Sequence, residues 1–217
     1  MSEPVIYERD GAVVTITLNR PELRNPITDD DMIEALLAAL DRLEADTQAR
    51  AAILTGAGKG FSSGGNLNKM GEGIGVSDPN PLNTRRNYKT GIQRLPLAFS
   101  KLEMPIIAAV NGPAMGAGND LACMCDIRIA GTSARFAENF VKIGLIPGDG
   151  GAWLLPRVVG FSKACEMALT GEMLTAEEAL ACGLVSRVVA DDQLLAEARR
   201  IADTIAANPR HAVRMTK

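Results

Sequence analysis

The sequence predicts an α/β fold. Three observations carry that expectation: short runs of β-branched and aliphatic residues, glycine-rich turns directly after two of these runs, and apolar residues at helical spacing between them. These pieces recur at irregular intervals along 217 residues. That length suits one domain, or one and a half, with a sizeable core.

Taken in order, "AVVTITLN" (12–19) reads as a strand pairing with "VIYER" (5–9) through the turn at Asp10-Gly11. Thr28 is the expected cap of a helix whose first turn holds Asp29, Asp30 and Asp31, and whose buried stripe is Met32, Leu36, Leu40 and Leu43. "AAILT" (51–55) is a short buried strand, followed by a glycine-rich stretch at 56–65. Residues 71–81 read as a loop. Ile92, Leu95, Phe99 and Leu102 give helical spacing up to Pro105, and "PIIAAV" (105–110) is a strand. A second glycine-rich turn, "NGPAMGAGND" (111–120), leads into the short helix "LACMC" and the strand "DIRIAG" (126–131). Thr175 and Glu178 form a capping box on a helix that Gly183 ends. Leu194, Ala198, Ile201 and Ile205 mark an amphipathic helix, and a last helix starts after Pro209.

Composition excludes several classes. A net charge of −3 gives no electrostatic basis for binding nucleic acid or an anionic membrane. The N-terminus mixes charges early and has no apolar signal region, and no run approaches the roughly 20 apolar residues of a spanning helix. A soluble, cytoplasmic chain is the expectation. Cys123 and Cys125 have no histidine nearby to complete a zinc site, so free buried thiols are expected.

The stretch Gly60-Phe61-Ser62-Ser63-Gly64 matches G-x-S-x-G, the turn that presents a nucleophilic serine. Against that reading, the residues after Ser62 are poor helix starters, and the sole histidine is His211, near the end. A dinucleotide site at Gly56-x-Gly58 fails because the third glycine is misplaced. Two turns that merely need positive φ would explain either loop alone. The pair suggests more: each follows a short buried strand and exposes backbone N–H groups, and two converging N–H groups make an oxyanion hole.

The stretches "ITLNRPELRNPI" (16–27), "ILTGAGKGFSSGGNL" (53–67), "PIIAAVNGPAMGAGNDLACMCDIRIA" (105–130), "ARFAENFVKIGLIPGDGGAWLLPRVVG" (134–160) and "MALTGEMLTAEEALACGLVSRVV" (167–189) resemble the crotonase superfamily of enoyl-CoA hydratases and isomerases, over nearly the whole chain. The resemblance implies a crotonase-like spiral of β-β-α turns over residues 1–190, with an acyl-CoA site. Residues 191–217 would begin the helical C-terminal region, which family members usually carry some forty residues further. It also implies assembly as trimers or dimers of trimers.

By the same resemblance the substrate is a coenzyme A thioester, whose carbonyl oxygen gains negative charge as an enolate forms. No separate cofactor or metal is implied. The N–H groups of Ser63 and Ala117 would hold that oxygen, with Ser62 beside it; Gly64, Gly65, Leu67 and Gly116 would be further substrate contacts, the "SSGGNL" backbone meeting the adenine of coenzyme A. The first family glutamate maps to Asp120 and the second to Phe140, which can neither deliver nor accept a proton. Asp149 and Glu138 are the candidate replacements; a cap for the helix at "GAWLL" is the other reading of Asp149. Arg24 and Asn66 map to coenzyme A contacts, whereas Arg85, Arg86 and Lys89 read better as a solvated helix face. A double-bond isomerase follows more naturally from Phe140 than a hydratase. A silent acyl-CoA-binding paralogue and a serine hydrolase using Ser62 are the alternatives.

Overall fold

The computed structural model describes residues 3–217. Strands β1 (Val5–Asp10) and β2 (Val13–Leu18) form an antiparallel hairpin, with Gly11 at φ 60° supplying the left-handed turn. Helix α1 (Asp30–Ala45) follows and buries Met32, Leu36, Leu40 and Leu43, as the spacing predicts. Its cap is Asp29, not Thr28. Thr28 Oγ1 instead accepts the Asn66 N–H at 2.9 Å, which ties the start of α1 to the first glycine loop.

Strand β3 (Ala51–Gly56) is buried along its whole length. Beyond the first glycine loop come α2 (Leu67–Gly71), α3 (Pro81–Thr90) and α4 (Arg94–Lys101). Next are β4 (Ile106–Val110), β5 (Pro113–Met115), α5 (Ala117–Met124), β6 (Ile127–Gly131) and β7 (Arg135–Ala137). The stretch 111–120, expected as a turn throughout, thus contains a short strand. The chain continues through α6 (Gly151–Val159), α7 (Phe161–Thr170), β8 (Met173–Thr175), α8 (Ala176–Ala181), β9 (Arg187–Val189), α9 (Leu194–Ala206) and α10 (Arg210–Thr216).

Two sheets result. The larger runs β1-β2-β3-β4-β6-β9 and is parallel after the first hairpin; the smaller is β5-β7-β8. One face of the large sheet packs on the main core with α1, α4 and α5. The other face carries Val13, Ile53, Ile107 and Ile129, which α9 covers with Leu194, Ala198 and Ala202. Burial on both faces explains why the central strands are continuous apolar runs rather than alternating ones. Among the described residues no helix is long and apolar enough to cross a membrane.

The sheets bring the two glycine loops together. The Phe61 and Ser62 N–H groups donate to the Pro113 carbonyl, each at 3.1 Å, and the Met115 N–H donates to the Ser62 carbonyl at 3.0 Å. Gly118, in the first turn of α5, lies so close to the Ser62 carbonyl that no side chain fits there. The loops after β3 and β4 therefore touch backbone to backbone.

Candidate active site

From Phe61 to Gly64 the loop amides are all committed. The Ser63 N–H donates to the Arg24 carbonyl at 2.8 Å. The Gly64 N–H donates to Ser62 Oγ at 3.1 Å, and the Asn66 N–H to Thr28 Oγ1. Among the described residues the Gly65 N–H meets no acceptor. Ala117 is the first residue of α5, where an N–H has no partner one turn back, and Asp120 is the first to close a bond, to the Gly116 carbonyl at 3.0 Å. The expected pairing of Ser63 with Ala117 is therefore corrected: the Ser63 amide is occupied, whereas those of Gly65 and Ala117 are open.

Both residues line one cavity of about 40 Å³, with Thr28, Ser63, Leu67, Met70, Tyr88, Ile92, Met115, Gly116, Phe140, Leu145 and Asp149 among its walls. A larger groove of about 710 Å³ adjoins it and shares Ser63 and Met115. Arg24, Lys59 and the glycines Gly58 and Gly60 line that groove, and both cations are solvent-exposed.

The structure sorts the remaining candidates. Ser62 is fully buried, and its hydroxyl donates to the Asn25 carbonyl at 2.7 Å, so it is neither a presented nucleophile nor a substrate contact. Gly64, at φ 78°, packs beneath the Met115 carbonyl and the Ala117 N–H and lines neither space. Asn66 caps α2 and holds Asp29 through Nδ2 at 2.9 and 3.2 Å, lining neither space. Arg85, Arg86 and Lys89 are exposed on α3, away from the groove lining.

Three carboxyl groups converge behind the cavity. Asp149 lines it; Asp120 does not, although it too is fully buried, as is Glu138 but for a trace. The cap of α6 is Gly150, so the capping reading of Asp149 fails. The Asp120 carboxyl fills the space beside Gly151, where a Cβ would overlap both of its oxygens. Burial raises the Asp120 carboxyl well above the ordinary range, and the charges of Asp149 and then Glu138 add to the effect. Asp149 is raised, chiefly by burial. Glu138 is pushed up to about 7, again mainly by burial, against its contact with Asp120 and the hydrogen bond from Asn119. Phe140 packs on Gly116 and lines the cavity, placing a ring where a second carboxylate was sought.

Sequence reasoning did not find Tyr88, Thr28 or Lys59. Lys59 sits inside the quoted loop and carried a signal, a cation between two glycines. Tyr88 gave none, because its place opposite Gly148 depends on how α3 packs.

Comparison with known proteins agrees with the fold. A family described as enoyl-CoA hydratase/isomerase matches residues 8–217. The chain belongs to that family and is an enzyme of the hydratase/isomerase type. It is 40% identical over 220 residues to 1,2-epoxyphenylacetyl-CoA isomerase of Escherichia coli, covering 100% of this chain and 81% of that one. It is 39% identical over 216 residues to short-chain-enoyl-CoA hydratase of Clostridium acetobutylicum, covering 98% and 79%. The crystal structure of an enoyl-CoA hydratase from Bacillus anthracis superposes with a TM-score of 0.90 at 33% identity, covering 98% of this chain and 80% of that one.

Proposed function

We propose that this enzyme isomerises an acyl-CoA thioester by proton transfer, with the Gly65 and Ala117 amides holding the enolate oxygen and Asp149 moving the proton. One observation carries the reading: two amides without acceptors line the same cavity as a buried carboxyl, next to a groove with exposed cations. The coenzyme A part of the substrate lies in that groove, its phosphates near Arg24 and Lys59, and the thioester crosses at Ser63 and Met115. No separate cofactor takes part.

Asp149, ionised, removes a proton from the carbon next to the carbonyl or its vinylogous position. The electron pair moves onto the thioester oxygen, where two N–H dipoles meet it. The carboxyl then returns the proton to the other carbon. Hydration needs a second group to activate water, and Phe140 supplies none. A cavity of about 40 Å³ admits little more than a water molecule, so the acyl chain enters by displacing side chains such as Leu67 and Tyr88 from α2 and α3. We further propose self-assembly as trimers, since Trp153, Phe161 and Leu169 expose apolar side chains on α6 and α7; light scattering tests this.

The test of the mechanism uses enoyl-CoA thioesters in deuterated water. Exchange at the carbon next to the carbonyl, with products of unchanged unlabelled mass, is expected. Ala117→Pro deletes one donor at the first helical position, where proline is tolerated, and should lower kcat/KM by about 10²–10³-fold with the fold kept. Asp149→Asn should abolish exchange. Tight binding with no exchange in the unaltered protein would replace this reading by that of a silent acyl-CoA binder.

A further inference from the structure

Asp149 has two carboxyl groups behind it that line neither the cavity nor the groove. Asp149 and Glu138 each meet the Asp120 carboxyl, which also presses on Gly151, two residues beyond Asp149. At the far end Asn119 Nδ2 donates to Glu138 Oε2 at 3.0 Å. All three carboxyls are at most 2% exposed. Both oxygens of Asp120, Oδ1 of Asp149 and Oε1 of Glu138 receive no N–H or O–H donor from any described residue.

Three ionised carboxylates cannot share such a space. A buried anion needs donors or a cation, and like charges at contact repel. Among the described residues no Lys, Arg or His forms an ion pair with any of the three. The other titratable groups facing them are Tyr88 from α3, opposite Asp149, and Cys123, one turn along α5 from Asp120. Burial raises both, Cys123 to about 12, so neither is charged near neutral pH. The Arg128 guanidinium is turned to the Leu184 and Cys125 carbonyls, at 2.8 and 2.6 Å. The missing donors are then the protons of the carboxyls themselves: Asp120, protonated, donates to one neighbour, and the charge left over is divided between Glu138 and Asp149. Their titrations belong to the group rather than to single residues.

We propose that Glu138 is a positioning residue which acts on Asp149 through Asp120, so that a buried chain of shared protons fixes when the cavity-facing carboxyl can accept one. The catalytic part of this rests on Asp149 being the proton-transfer group. Asn119 belongs to the device, because its amide keeps the charge on Glu138. When Asp149 takes the substrate proton, the charge it loses is regained when that proton leaves for the product, and the chain only sets the affinity.

The test is a carbon-13 titration of the aspartate carboxyls in the free, full-length protein, with no substrate. Glu138→Gln removes the far charge and should lower the Asp149 midpoint by roughly half a unit to one unit. The acid limb of the pH–rate profile should move down with it. In the Asp120→Asn background the same replacement should shift Asp149 much less, because the intermediate is gone. Asn119→Leu, which removes the donor to Glu138, should shift Asp149 in the same direction and serves if Glu138→Gln does not fold. An Asp149 midpoint that stays put in both variants overturns the proposal, as does a full shift in the Asp120→Asn background. A coupled titration in a protein that shows no exchange would leave the chain standing and remove the proposed isomerase.

Discussion

Single residues decide the site by what they leave free. Ser63 and Gly65 are two positions apart in one loop, yet the first amide is spent on Arg24 and the second is open. Ser63→Ala should therefore keep turnover within about twofold, since its side chain donates to nothing in the loop and its amide is already paired; steady-state kinetics check this. Gly151 is small for a different reason, the Asp120 carboxyl pressed against it. Gly151→Ala must push that group aside. It should lower stability by about 1–3 kcal/mol in urea unfolding and cut exchange at least tenfold. Phe140 was legible as a departure from two-carboxylate chemistry because identity alone settles whether a side chain can carry a proton. Asp149 was not settled that way: whether its carboxyl faced the cavity depended on the turn at Gly150.

At the level of elements, the first glycine loop is held from outside itself. Asn25, left-handed at φ 54°, points its amide at the carbonyls of Ala57 and Gly60, each at 3.0 Å, and Phe61 at 3.3 Å, while its Oδ1 accepts the Arg20 N–H at 2.8 Å. Asparagine tolerates that backbone region and alanine does not. Asn25→Ala should cost about 3 kcal/mol in denaturant midpoint experiments, from the lost bonds and the strained φ together. The capping box at Thr175 and Glu178 is formed in both directions, at 3.2 and 2.8 Å. Thr175→Ala should cost about 1 kcal/mol and leave turnover unchanged, because α8 lines neither the cavity nor the groove. Long helices and central strands were readable from periodicity. The three-residue strands β5, β7 and β8 were not, being too short for any pattern and existing only because they pair with one another.

For the molecule as a whole, the buried carboxyls set a pH dependence opposite to that of the surface. Glu138, pushed up to about 7 by burial, and the raised Asp120 and Asp149 hold protons in the folded chain to higher pH than in the unfolded one. Between the ordinary carboxyl range near 4.5 and about 7 the folded state thus binds more protons, and this contribution to stability is present at low pH and lost as pH rises. Glu197, lowered to about 2 chiefly by Arg200, has the reverse sign and its contribution is lost on acidification. Unfolding midpoints should therefore fall from pH 5.5 to 8, and Glu138→Gln should flatten that fall; an equal slope in both proteins would refute the assignment.

The sequence by itself determined the class, the long elements, the pairing of two glycine loops and the loss of a second family carboxylate, because each of these is local pattern or side-chain identity. Only the tertiary structure decided that the Gly65 amide and not that of Ser63 stays open, that Asp149 and not Asp120 faces the cavity, and that Glu138 lies behind both. Hydrogen-bond partners and burial are set by residues dozens of positions away, such as Arg24 against Ser63, and no local pattern records them.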